Sequence, residues 1–194
     1  VKKLNMQRRD FLILAAGVTA ASLDTGFIRQ AMATDSYALQ AGETAVDLGD
    51  TGNNLTNCWL YNGACPGPML RRRRGDVLNV SVTNDLPVPT AVHWHGIRNV
   101  NEMDGVPNLT QAPIEPGDNF VYQVPLRESG TYWYHAHNMG WEQVARGLYG
   151  PLIIDADDDP AVDHDFTLMI DDWRLDQDGQ IDAASFGSLH DWSH

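Results

Sequence analysis

Asp76-Val77-Leu78-Asn79-Val80-Ser81-Val82-Thr83 alternates apolar and polar residues directly after Gly75. Side chains two apart on a strand share a face, so this stretch reads as a half-buried β-strand. The same pattern recurs outward from it. Asn119-Phe120-Val121-Tyr122-Gln123-Val124 follows the turn residues Glu115-Pro116-Gly117-Asp118. Tyr132 to His135 is aromatic-rich, and Gly150-Pro151-Leu152-Ile153-Ile154 reads as a buried strand. Short strands separated by Gly/Pro turns, with little helical periodicity, predict an all-β sandwich. One stretch departs from this: Trp141, Val144, Ala145 and Leu148 fit one helical face, which predicts a short helix over 141–148.

The acidic run Asp155-Ala156-Asp157-Asp158-Asp159-Pro160 reads as a linker that closes this unit. Asp165 to Trp173 then opens a new strand pattern, but the residues from about 163 onward are too few to bury a core of their own. The expected organisation is a first domain over 34–160 and the start of a truncated second domain over 161–194, so the chain is read as a fragment. Residues 1–33 read as an export signal. Arg8-Arg9 precedes the apolar run Phe11 to Val18, Ala31-Met32-Ala33 is an A-x-A-type cleavage site, and the arginine pair matches a twin-arginine signal. The apolar run is too short for a membrane span, so no stable span is expected after cleavage.

The formal net charge is -13. Residues 1–33 carry five basic and two acidic groups, which leaves the remainder near -16. Such a body repels nucleic acid and anionic membranes, so neither is expected as a partner. Arg71-Arg72-Arg73-Arg74 stands against this background and reads as a solvated strand end. Cys58 and Cys65 are the only cysteines. They are read either as a disulfide or as a free pair, because spacing does not report Cα separation.

The chemistry lies in two pairs, His93-Trp94-His95 and His135-Ala136-His137, which use four of the seven histidines. On strands, each pair aims both imidazoles to one side. A single histidine on a strand is ordinarily a satisfied core or surface residue. Two such pairs, one enclosing Trp94 and the other following Trp133 and Tyr134, point instead to a metal face, and neutral imidazole suits copper, zinc, iron and nickel. Trp94 and Trp133 are expected to point away from that face and to pack behind the imidazoles.

Around these residues the chain resembles the multicopper oxidases, a family of laccases, bilirubin oxidases and bacterial copper-resistance oxidases. The resemblance runs from about Tyr37 to Trp173. It rests on Tyr61-Asn62-Gly63 with Pro66-Gly67-Pro68, His93-Trp94-His95-Gly96, Met103-Asp104-Gly105-Val106-Pro107, Ile114-Glu115-Pro116-Gly117, Gly130 to His137, and Gly147 to Ile154. It implies the family's first domain, a cupredoxin-like Greek-key β-sandwich, with copper as cofactor. It also implies that His93 ligates a type 2 copper, His95 and His135 one type 3 copper, and His137 the other. Asp104 matches an acidic residue linked to proton delivery, although Asp-Gly is equally a plain turn signal.

The implied function is the N-terminal portion of a periplasmic oxidase. This portion supplies half of a trinuclear site that reduces dioxygen to water. A phenolic, pigment or metal-ion reductant is oxidised at a type 1 copper in a C-terminal cupredoxin domain. The family's His-x-x-His-x-His and His-Cys-His motifs do not occur in these residues, and Cys58 and Cys65 have no flanking histidines. The chain by itself is therefore expected to be inactive, with the C-terminal domain as its partner. A non-enzymatic periplasmic copper-binding protein is the alternative, weakened by the lack of Met-rich tracts. A two-domain nitrite reductase is set aside because no cysteine follows Cys65.

Overall fold

The computed structural model describes residues 36–49 and 54–187. The export signal read over 1–33 lies outside the described residues. Among the described residues eight strands form two four-stranded sheets. The first carries β1 (Tyr37–Val46), β2 (Thr56–Tyr61), β4 (Val77–Asn84) and β6 (Asn119–Pro125), in the order β2-β1-β4-β6. The second carries β3 (Leu70–Arg73), β5 (Val92–His95), β7 (Gly130–Ala136) and β8 (Tyr149–Asp155), in the order β3-β8-β7-β5. The chain passes between sheets after β2, β3, β4, β5 and β6, the interleaving of a Greek-key sandwich. Most neighbours are antiparallel; β1 with β4 and β3 with β8 run parallel.

Alternation sends one row of each strand inward. Leu78, Val80 and Val82 of β4, Tyr122 and Val124 of β6, Val92 and Trp94 of β5, and Tyr134 and Ala136 of β7 all join one buried cluster. The odd-numbered row of β5 and β7, which includes His93, His95 and His135, is thereby forced onto the outer face of the second sheet. Strand β2 is buried on both sides. Trp59 and Tyr61 enter the main core, while Cys58 and Leu60 pack against Ile181 and Phe186, with Trp141 and Trp173 beside them. Residues 173–186 therefore return to cover the back of β2. Both thiols are free; burial pushes that of Cys58 up to about 11.

Three sequence expectations about the fold need correction. Asp165 to Trp173 forms no strand. No described strand pairs with it, and a lone extended segment has no ladder to hold it. Its apolar row stands in solvent, with Phe166 80%, Leu168 86% and Ile170 96% exposed. The helix predicted over 141–148 is only α1, Gly140–Gln143. Past it the Arg146 carbonyl accepts from the Trp59 amide at 2.9 Å and Leu148 donates back to Gln143, so the backbone turns toward β2 and β8 instead of adding a helical turn. The arginine run is not simply solvated. Arg71 grips the Asp155 carboxylate through Nε and Nη2 (2.9 and 2.8 Å) and reaches Asp165 at 2.8 Å, while the Arg72 guanidinium lies 4.3 Å over the Tyr37 ring. β3 lies beside β8 in parallel register, with Arg73 opposite Asp155, and this brings the basic run to the acidic linker. Among the described residues no helix is long and apolar enough to cross a membrane.

Candidate metal centre

Strands β5 and β7 pair so that His93 stands directly opposite His135, and His95 opposite Trp133. The next step of the ladder is closed by the His137 amide, which donates to the Ala91 carbonyl at 2.9 Å. Antiparallel pairing thus gathers all four predicted histidines on one face. The His93 ring lies 5.7 Å from that of His95, 5.5 Å from His135 and 5.1 Å from His137, centroid to centroid. The ligating nitrogens of His93, His95 and His135 come within 4.8 Å of one another. His137 is exposed and stands outside that close trio, 6.0 Å from His135.

Two backbone carbonyls orient two of these rings. His93 Nδ1 lies 2.7 Å from the Asp104 carbonyl oxygen, and His135 Nδ1 lies 2.9 Å from that of Ala136. A carbonyl only accepts, so each Nδ1 carries the proton and each Nε2 keeps its lone pair. That free Nε2 of His135 faces His95 Nδ1 at 3.2 Å. Two nitrogens held 3.2 Å apart subtend about 106° at a point roughly 2.0 Å from each, a metal–imidazole bond length. In the metal-free chain His95 Nδ1 donates to the His135 Nε2 acceptor; with the His95 proton moved to its Nε2, the two facing lone pairs fit a single shared ion. Burial, followed by the like charge of its three histidine neighbours, holds the His135 imidazole down to about 4, so it is neutral and ligand-competent at ordinary pH.

Asp104 enters the site differently from what a carboxylate suggests. Its Oδ1 is 3.6 Å from His93 Nδ1, too long for a hydrogen bond, and the backbone oxygen makes the contact. Gly105 makes this possible. Its φ is +77°, and a Cβ there would stand 1.8 Å from the Val92 carbonyl oxygen, so only glycine lets the loop lie this close to β5. Trp94 is fully buried behind the face, as expected. Trp133 is not behind it. It has the same parity as His135, and its indole stacks on that ring at 4.2 Å and 29°. The carbonyls of Asp104 and Ala136 had no side-chain signal in the sequence. Trp133 did have one, its two-residue offset from His135. Beside His135 and His137 opens a cleft of about 820 Å³, also bordered by Trp141, Asp171 and Arg174.

A sequence profile described as multicopper oxidase matches residues 44–159. Copper resistance protein A of Pseudomonas syringae pv. tomato is 43% identical over 139 residues, covering 71% of this chain and 22% of that protein. Multicopper oxidase MmcO of Mycobacterium tuberculosis is 40% identical, covering 73% of this chain and 28% of its own length. Among solved structures, a multi-copper oxidase from Pseudomonas thermotolerans superposes with a TM-score of 0.72 at 38% identity, over 75% of this chain and 35% of that one. Lac15 from a marine microbial metagenome gives 0.70 at 45% identity, over 75% and 38%. The chain thus spans roughly a quarter of the length of the curated relatives it matches. Its sandwich, its paired histidines and these likenesses agree: the chain belongs to the multicopper oxidases, a family of copper-dependent oxidoreductases.

Proposed function

We propose that this chain supplies one half of a trinuclear copper site in an exported oxidase. That site reduces dioxygen to water while a phenolic, pigment or metal-ion reductant is oxidised at a type 1 copper carried by a further cupredoxin domain. The observation that carries the reading is the 3.2 Å approach of His95 Nδ1 to a His135 Nε2 whose ring is already oriented by a carbonyl. On this reading His95 and His135 hold one type 3 ion, His93 the type 2 ion, and the exposed His137 the other type 3 ion. All four lie on an outer sheet face, open to histidines from another domain.

Bound copper would supply the one-electron redox steps. The chain's own residues do the rest. The carbonyls of Asp104 and Ala136 fix the Nε2 lone pairs, and burial keeps His135 unprotonated. Oxygen reduction to water consumes protons, and we read the partly exposed Asp104 carboxylate, 3.6 Å from His93 Nδ1, as the residue on their delivery route. On the same reading residues 34–160 are the first cupredoxin domain, 161–194 are the stretch that leads into the next, with 173–186 packed back on β2, and 1–33 are the signal for export to the periplasm.

Copper(II) titration of the 194-residue chain against a competing chelator tests the proposal. The His93→Ala, His95→Ala, His135→Ala and His137→Ala variants should each weaken binding, and the quadruple variant should lose chelator-resistant copper. Unchanged copper stoichiometry in the quadruple variant refutes it. The copper-loaded chain alone should show no sustained oxygen uptake with a phenol. Steady uptake would mean the site is not a half.

A further inference from the structure

We propose that Trp133 is a positioning residue for the His95/His135 pair, an indole wall against which both imidazoles are held with their facing nitrogens 3.2 Å apart. The inference rests on the metal reading above and assigns to one side chain the geometry that the reading needs.

A metal-binding histidine is normally oriented by a hydrogen bond from its second ring nitrogen. His93 and His135 each have one, to the carbonyls of Asp104 and Ala136. Among the described residues His95 has no such acceptor; its recorded ring hydrogen bond is to His135 itself. What it has instead is Trp133, at 5.0 Å between centroids and 32° between planes. The same indole stacks on His135 at 4.2 Å and 29°. Both contacts follow from register: Trp133 is directly opposite His95 across the ladder and two residues before His135 along it. Its backbone is held from both sides, because β7 lies between β5 and β8 and Trp133 also pairs with Pro151. Close aromatic contact, stacked on His135 and tilted against His95, constrains ring planes, and an exposed imidazole such as His95 otherwise turns freely about its side-chain torsions.

Trp133→Phe and Trp133→Leu in the 194-residue chain test the idea. Phenylalanine keeps a stacking face, whereas leucine fills space without one. Cobalt(II) affinity should stay within about threefold of wild type in Trp133→Phe and fall about tenfold or more in Trp133→Leu, the usual cost of removing an orienting neighbour. The visible cobalt(II) spectrum should shift only in the leucine variant. In the metal-free chain, NMR should show the His95 ring signals broadened by Trp133→Leu and those of His93 unchanged. Should Trp133→Leu lose the wild-type near-ultraviolet circular dichroism, Trp133→Met takes its place with the same expectations. Equal affinities in the ring-bearing and ringless variants overturn the proposal. A wild-type chain that binds no cobalt(II) or copper(II) refutes the metal reading instead, and the metal-free His95 signals then decide the role of Trp133 separately.

Discussion

Replacing Gly105 by alanine strikes the candidate centre through backbone alone. The added Cβ would stand 1.8 Å from the Val92 carbonyl oxygen, 2.5 Å from its carbon and 3.0 Å from the His93 nitrogen. All three are main-chain atoms of the β5 segment, so no rotamer change relieves the clash. Bringing the nearest contact out to 3.0 Å, still a tight contact, requires the 101–107 loop to retreat by at least about 1.2 Å. A retreat of that size stretches the 2.7 Å bond between His93 Nδ1 and the Asp104 carbonyl beyond hydrogen-bonding range. The lost bond costs about 1 kcal/mol. Holding alanine at φ +77° costs roughly 1–2 kcal/mol more. Urea denaturation should therefore show Gly105→Ala destabilised by about 2–3 kcal/mol. NMR of the metal-free chain should show the His93 ring losing its single tautomer. Asp104→Ala is the matched control, because it removes the carboxylate but keeps the carbonyl and should leave the tautomer alone. If Gly105→Ala keeps both the wild-type urea midpoint and the wild-type His93 signals, the loop does not orient His93 as argued.

Three further outcomes are expected. A Cβ on Gly150 would lie 2.3 Å from the Tyr134 hydroxyl and 2.4 Å from its Cζ, in a core where that hydroxyl donates to the Pro68 carbonyl at 2.7 Å. Gly150→Ala should then cost about 1–3 kcal/mol in urea denaturation, and an unchanged midpoint would show that the Tyr134 ring yields easily. The His135 pKa falls from its ordinary 6.5 to about 4 in the folded chain, so between those values the unfolded state binds more protons. Metal-free stability should hold above about pH 6.5 and drop as pH falls toward 4, and His135→Gln should flatten that slope; parallel slopes for the two proteins would contradict it. Arg71→Ala should leave global stability within about 1 kcal/mol, since the pairs are half exposed. It should nevertheless speed proteolysis in the acidic segment 156–165, an effect that shrinks in the wild-type comparison as salt rises; equal cleavage rates at low salt would mean Arg71 does not latch that segment.

Much of the architecture was legible because period-two alternation is a local property. Val77 to Asn84 has its buried row where Leu78, Val80 and Val82 predicted it. The same alternation misled at Phe166, Leu168 and Ile170, since a strand exists only when a neighbour completes its ladder, and no described strand does so there. The helical face of Trp141 to Leu148 was also real as a pattern but shorter as a helix, because β2 claims the Arg146 carbonyl.

The candidate site divides in the same way. His93, His95, His135 and His137, and the identical facing of each pair, could be named from residue spacing, because i and i+2 share a strand face whatever the fold. That the two pairs meet was decided by the β5–β7 register, which sets His93 opposite His135. So was the 3.2 Å approach of two nitrogens, the choice of Asp104's carbonyl over its carboxylate, and the contact of one indole with two imidazoles. Side-chain chemistry and its periodicity are written in the chain, residue by residue. Distances between strands, and the use of backbone carbonyls that every residue carries, come into being only when the sandwich closes.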